Sequence, residues 1–129
     1  KLVVGFIGSD FMLILNKETK IFVSLTPVDM RKSINGLSAL ILDVFSESPQ
    51  SNHFFLFYNK QKNKVKAIFW DRNGFVLYYK RIEKTKFKFN FSLNEEVLEI
   101  TESQLSWLLA GLDFHLMHQF NDLNYSEFY

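Results

Sequence analysis

The sequence predicts a single α+β domain in which a mostly antiparallel sheet packs against two helices. The middle of the chain contains short apolar runs separated by turn residues, which is typical of a β-meander. Two other segments repeat apolar residues at the three-and-four spacing of a buried helical face. The 129 residues are about the length of one domain, and we find no internal repeat or linker. We therefore treat residues 1–129 as one domain.

The first part of the chain holds two apolar runs, Ser9–Leu15 and Lys20–Leu25, separated by the polar stretch Asn16–Thr19. They predict a hairpin, or one strand after a lead-in. Lys1–Gly8 resembles the start of a signal peptide, but Gly8, Ser9 and Asp10 interrupt the apolar stretch. The runs are too short to span a bilayer, so we interpret them as strands. The chain has no cysteine, which excludes disulfides and thiolate sites and favours the cytoplasm.

The first helix is expected from Asp29 to Phe45, after the break at Pro27. Asp29 is placed to act as its N-cap. The apolar stripe of this helix consists of Ile34, Leu37, Ile41 and Val44.

The meander is expected to contain four strands, His53–Tyr58, Lys64–Asp71, Phe75–Ile82 and Lys86–Phe91. The pair Asn73-Gly74 predicts a type I′ hairpin turn, because both residues tolerate a positive φ. In the last of these strands phenylalanines alternate strictly with polar residues. One side of the strand should therefore be buried in the core and the other exposed to solvent.

A second helix is expected from Thr101 to Gly111. Thr101 and Gln104 have the spacing of a capping box. The segment Glu96–Ile100 before it reads as a further strand, and the tail after Asp113 has aromatic residues without a clear period.

Charge is distributed unevenly along the chain, although the formal net charge is only +1. Ten of the basic residues lie between positions 60 and 88, and no Lys or Arg follows Lys88. Such asymmetry is expected of a segment that faces nucleic acid, followed by a separate acidic segment. Solvated lysine faces that protect strand edges would give the same pattern. Both interpretations stay open.

Several segments resemble the TnpB accessory proteins of the insertion sequence 66 (IS66) family. They are Pro27-Val28-Asp29-Met30-Arg31-Lys32, Gly36-Leu37, Phe55-Leu56-Phe57, Trp70-Asp71-Arg72-Asn73-Gly74-Phe75, Tyr79-Lys80-Arg81-Ile82-Glu83, Trp107-Leu108-Leu109 and Gly111-Leu112-Asp113. The resemblance runs from about residue 21 to 114 and leaves 115–129 as a tail. The chain departs from the family at Phe89-Asn90, where a Trp-Pro pair is usual, and at Phe114, where Trp is usual. The family motif residues are Asp29, Arg31, Lys32, Trp70, Asp71, Gly74, Glu83, Trp107 and Gly111.

The resemblance implies a small protein that is encoded beside a separate transposase and is needed for efficient transposition. It offers no catalytic residues and no cofactor. The expected partners are the transposase of the same element and DNA at the element ends, with a homo-oligomer as an alternative; no membrane is expected.

Charge alone suggests which residues would contact DNA: Lys64, Lys66, Arg72, Lys80, Arg81, Lys86 and Lys88. The pair Arg31-Lys32 is a weaker addition, because cations at a helix start oppose the helix dipole. Tyr78 and Trp70 could stack on single strands. Since no base-reading motif is visible, any binding should have weak sequence specificity.

Two alternatives stay open. The chain could be a protein–protein module without DNA binding, which docks through Phe114 and the tail aromatics Phe120, Tyr125, Phe128 and Tyr129, although these could also fold back on the sheet. The less favoured alternative is a metal-dependent nuclease that uses Asp29, Asp71, Glu83, Glu95 or Glu96. The pair His115 and His118 would suit a metal only if the tail is helical.

Overall fold

The structure, a computed structural model, describes residues 18–90 and 95–117. Its strands are β1 (Ile21–Ser24), β2 (Phe54–Tyr58), β3 (Lys64–Asp71), β4 (Gly74–Arg81) and β5 (Val97–Ile100). Its helices are α1 (Ile34–Leu40), continued by a π-helical turn (Ile41–Phe45), and α2 (Glu102–Leu109), followed by a 3₁₀ turn (Phe114–Leu116). The predicted α+β class is confirmed. The predicted strand Ser9–Leu15 lies outside the described residues.

The five strands form one sheet in the order β4-β3-β2-β1-β5. Strands β2, β3 and β4 form the expected antiparallel meander, and β5 is antiparallel to β1. Strand β1 pairs in parallel with β2. A parallel pair needs a crossover connection, and here α1 and its π-helical turn provide it. The sheet is therefore mostly, but not entirely, antiparallel.

Both faces of the sheet are covered, because successive residues of a strand point to opposite sides. On one face, which we call the α1 face, Phe55, Phe57 and Ile68 pack against Leu37 and Ile41. On the other, the α2 face, sheet residues pack against Leu105, Leu108 and Leu109. The sheet is thus the middle layer of three.

The first helix begins at Ile34, so the prediction that it starts at Asp29 is wrong. The carboxylate of Asp29 accepts a hydrogen bond from the Arg31 backbone N–H at 2.8 Å, which makes a local turn in place of a helix cap. The N-cap position falls on Ser33, whose side chain makes no capping hydrogen bond. Residues 27–33 therefore form a loop, which is called the motif loop below.

The hairpin turn is one residue earlier than predicted. Asp71 pairs with Gly74, so Arg72 and Asn73 are the loop residues. The positive φ, 53°, is at Arg72, and the Asn73 N–H donates to the Asp71 carbonyl, which is a γ-turn bond. The ring contact between Trp70 and Phe75, with centroids 4.9 Å apart, holds this register. The type I′ turn centred on Asn73-Gly74 is therefore wrong.

The predicted strand Lys86–Phe91 is also wrong, as residues 82–90 have no strand structure; Phe91 itself lies outside the described residues. The predicted burial pattern nevertheless holds at Phe87 and Phe89, which are 1% and 3% exposed. The Phe87 N–H donates to the Lys62 carbonyl at 2.8 Å, and Lys62 Nζ donates to the Phe89 carbonyl at 3.1 Å. This segment crosses the α2 face and places its phenylalanines in the core there. Alternation records burial on one side, and it does not require a neighbouring strand.

The second helix is confirmed, with Thr101 as its N-cap and the capping box with Gln104 formed in both directions. The helix ends at Leu109, and Gly111, just beyond the C-cap Ala110, has φ 82°. The Leu112 N–H donates to the Trp107 carbonyl at 2.9 Å and the Gly111 N–H to the Leu108 carbonyl at 3.0 Å, which is a Schellman motif. Within the described ranges no helix is long and apolar enough to cross a membrane.

Candidate functional site

An open cleft of about 780 Å³ lies between the motif loop, the turn after β2 and the ends of β3 and β4. We call it the basic cleft, because four cationic side chains and one carboxylate line it. The lining residues are Pro27, Val28, Asp29, Met30, Arg31, Asn59, Lys60, Gln61, Lys64, Lys66, Leu77 and Tyr79. Its volume falls in the range of small-ligand sites. Because residues from four separate segments meet here, the sequence could not show this arrangement.

Lys66 holds the motif loop against the sheet. Its Nζ donates to the carbonyl oxygen of Met30 at 2.7 Å and to that of Lys32 at 2.8 Å. The loop is further held by the Val28 N–H, which donates to the Tyr58 carbonyl at 2.8 Å. Lys66 was predicted as a DNA contact, but two of its three N–H donors are used inside the protein. The Lys66 ammonium group adds positive charge to the cleft, and its two hydrogen bonds to the motif loop fix its position.

Asp29 and Arg31, which both line the cleft, form an exposed ion pair. The Arg31 Nη2 donates to Asp29 Oδ2 at 2.7 Å, and its Nε lies 3.1 Å and 3.0 Å from the two carboxylate oxygens. The side-chain and backbone hydrogen bonds from Arg31 lower the pKa of Asp29 to about 2. The pair therefore stays charged at neutral pH. It orients the guanidinium, which has further N–H donors for another acceptor.

Asn59 organises the turn that presents Lys60. It is only 7% exposed, and its Oδ1 accepts from the backbone N–H groups of Asn63 at 3.1 Å and Lys64 at 2.9 Å. Its Nδ2 donates to Asn63 Oδ1 at 2.7 Å. Sequence reasoning missed this residue, and its position just after an apolar strand was the available signal.

Lys64 faces a like charge across the sheet, because it lies directly opposite Arg81 in the antiparallel ladder. Like charges in that position are destabilising. Arg81 is compensated by Glu83, with Nε 2.7 Å from Oε2. Among residues 18–90 and 95–117, Lys60 and Lys64 form no ion pair. These two ammonium groups are thus available to an external anion.

The predicted DNA-contact residues lie in several parts of the structure. Their contact with DNA remains a prediction. Lys64 and Lys66 line the cleft, and Arg81 lies on the same face of the sheet without lining it. Lys80 points to the opposite face and donates to the carbonyl of Leu109 at 2.6 Å, at the end of α2. Three more are elsewhere: Arg72 beside Asp71 at the hairpin, and Lys86 and Lys88 in the segment 82–90. The seven predicted DNA-contact residues therefore do not all lie on one face of the sheet.

The family motif residues fall into three places. Asp29, Arg31 and Lys32 belong to the motif loop, where the first two line the cleft. Trp70, Asp71 and Gly74 form the β3–β4 hairpin, and Glu83 pairs with Arg81 just after it. Trp107 packs against the α2-face core, and Gly111 ends α2.

The acidic candidates for metal binding are dispersed. Asp29, Asp71 and Glu83 each pair with a nearby arginine, and Glu95 and Glu96 are exposed. In the part of the chain that the structure describes, no three His, Asp or Glu side chains are grouped to hold a metal ion. His115 contacts Asp113 at 3.0 Å, and its proposed partner His118 lies outside the described residues.

The exposure of the aromatic side chains differs from what the sequence predicted. Trp70 packs on Phe75, and Tyr78 packs against the α2-face core, where burial raises its pKa. Tyr79 is the exposed one, at 49%, and sequence reasoning missed it. Phe114 is 6% exposed, so it folds back on the core and is not an exposed docking residue. The other tail aromatics lie outside the described residues.

Replacement of Lys66 by methionine is expected to loosen the motif loop and to lower the free energy of unfolding by about 1 kcal/mol, because two hydrogen bonds to carbonyls are lost. Faster amide exchange at Val28 and Arg31, measured by NMR, would report the loosening. Lys64→Met, two residues away on the same face, is the matched control and should change stability by less than about 0.5 kcal/mol. Equal effects of the two variants would contradict the role of Lys66.

The sequence comparisons agree with the resemblance. The family described as "IS66 Orf2 like protein" (TnpB_IS66) matches residues 19–119. The "Uncharacterized protein y4jC" of Sinorhizobium fredii is 34% identical over 95 residues, which are 74% of this chain and 80% of that protein. The "Uncharacterized protein y4hO" of the same organism is 26% identical over 103 residues, 80% of this chain and 89% of that protein. No solved structure matches the chain. The chain therefore belongs to the IS66 Orf2-like family of insertion-sequence accessory proteins.

Proposed function

We propose that this chain is a non-catalytic accessory subunit of transposition that contacts DNA through the basic cleft. The observation that carries the proposal is the meeting of Arg31, Lys60, Lys64 and Lys66 around one open cleft with a single carboxylate, Asp29. Cations grouped in this way bind phosphates and release counterions. The proposed partners are the DNA at the element ends and the transposase of the same element.

The arrangement of the cations supports phosphate binding over a purely structural role. Lys60 and Lys64 have no ion-pair partner among residues 18–90 and 95–117, and Lys64 faces Arg81 at a cost in stability. Because Arg81 is already paired with Glu83, an anion bound in the cleft beside Lys64 would supply the partner that Lys64 lacks there. Because contacts to phosphate carry no sequence information, binding through these cations should have weak sequence specificity.

The dispersed carboxylates support a non-catalytic role. Asp29, Asp71 and Glu83 are each neutralised by an adjacent arginine. Two-metal cleavage needs carboxylates that converge on the ions. In this proposal, strand cleavage is carried out by the separate transposase.

A salt titration tests the DNA contact. The purified protein is mixed with a labelled duplex that carries the element end, and with a scrambled duplex, and binding is followed by fluorescence anisotropy. We expect similar affinity for both, with a steep decrease as salt rises. Lys64→Glu should weaken binding to both duplexes and reduce the salt slope by about 1.

Lys84→Glu is the matched control, because Lys84 is exposed but does not line the cleft. Equal losses for the two variants would place the contact outside the cleft. An absence of binding at low salt would reject DNA contact and direct the search to the transposase, by a pull-down.

A further inference from the structure

An exposed aromatic ring lines the basic cleft. Tyr79 and Leu77 both line the cleft, since they lie two residues apart on β4 and so share one face of the sheet. Tyr79 is 49% exposed. The other large apolar side chains with comparable exposure in the described part of the chain are the aliphatic Leu42, Leu112 and Leu116, and none of them lines the cleft.

Cations surround this ring. Lys66 lies directly opposite Tyr79 in the ladder, and its Nζ is 5.7 Å from the ring centroid. Lys64 is the next residue on the same face of β3, and Lys60 and Arg31 line the same cleft. The ring is thus half-exposed in a positively charged setting, with the Lys66 ammonium group over one side of it.

An aromatic surface beside several cations is suited to a nucleotide whose base is unpaired. In a duplex both faces of each internal base are already stacked, so only the phosphates are available to a shallow cleft. In a single strand or at a frayed end the base is free to stack on an aromatic side chain while its phosphates meet lysine and arginine. An acidic peptide would use the cations but has less need of an exposed aromatic surface.

We infer that the basic cleft binds an unpaired segment of DNA, with one base stacked on Tyr79 and the flanking phosphates bound by Lys60, Lys64 and Arg31. This inference rests on the proposed DNA contact and specifies the form of DNA. The substrate class that the cleft fits is therefore DNA with unpaired bases, as in a single strand or a frayed end. Since stacking accepts any base, the preference is for strandedness and not for sequence.

The test compares a labelled single-stranded oligonucleotide with a blunt duplex of the same sequence, by anisotropy at low salt. Unmodified protein should bind the single strand more tightly. Tyr79→Ala should weaken single-strand binding by about tenfold and leave duplex binding unchanged. Tyr79→Phe keeps the ring and should bind like the unmodified protein. Leu112→Ala removes an equally exposed side chain outside the cleft and is the matched control.

The outcomes separate this inference from the proposed function. If Lys64→Glu weakens binding to both DNA forms but Tyr79→Ala weakens neither, the inference is overturned and the phosphate contact stands. If neither DNA form binds, both are overturned. If poly-glutamate displaces the single strand from the unmodified protein and its own binding depends on Tyr79, the cleft is a peptide site and the inference is overturned. Thermal unfolding of each variant confirms that it is folded.

Discussion

Replacement of Phe89 by alanine is expected to lower the free energy of unfolding by about 3–5 kcal/mol, the largest effect that we predict. Phe89 is 3% exposed, and its ring stacks on Tyr58 with centroids 3.9 Å apart and planes at 12°. Tyr58 in turn donates from its hydroxyl to the Leu25 carbonyl at 2.8 Å. Removing the Phe89 ring would leave a cavity beside the buried ring of Tyr58.

Chemical denaturation, monitored by tryptophan fluorescence, measures this loss as a shift in the midpoint. Lys86→Ala, in the same segment but exposed, is the control and should stay within about 0.5 kcal/mol of the unmodified protein. A loss below about 1 kcal/mol for Phe89→Ala would mean that the segment does not contribute to the core on the α2 face.

Replacement of Gly111 by alanine is expected to cost about 2 kcal/mol, because two effects add. The residue has φ 82°, a conformation that L-residues with a side chain rarely adopt. A Cβ there would also lie 3.1 Å from Ile82 Cδ1, so the side chain of Ile82 must shift. The same residue donates the Schellman hydrogen bond that ends α2.

Gly74→Ala provides the matched control for this prediction. Gly74 does not have a positive φ, and nothing lies within 4 Å of the position that its Cβ would occupy. We expect it to change the midpoint of thermal unfolding little. Similar losses at the two glycines would contradict the assigned roles.

Much of the fold could be predicted from the sequence, because the information is local. The capping box at Thr101 and Gln104 depends on residues three apart, so the start of α2 was correctly placed. The alternation through Phe87 and Phe89 identified the buried residues of segment 82–90. The partners in the capping box are near in sequence, and the alternation of phenylalanines reports only burial. Neither prediction depended on knowing a long-range contact.

The errors occur where several structures suit the same local pattern. Asp29 was predicted to cap α1, but its carboxylate has a competing partner in Arg31, and the motif loop is held against the sheet by Lys66, which is more than thirty residues away. The Asn73-Gly74 turn was displaced by one residue because cross-strand packing of Trp70 on Phe75 set the register. Long-range contacts decided each case.

The sequence by itself determined the family, the α+β class, the main helix and strand segments, and the excess of cations between positions 60 and 88. The tertiary structure alone decided which of those cations act together. Lys80 lies on the opposite face of the sheet and donates to the carbonyl of Leu109 at the end of α2. Arg31, Lys64 and Tyr79, which are far apart in sequence, line the same cleft. The physical reason is that strand pairing and loop docking bring together residues that are far apart in the chain. Charge distribution and periodicity, by contrast, are patterns of residues that are near each other in sequence.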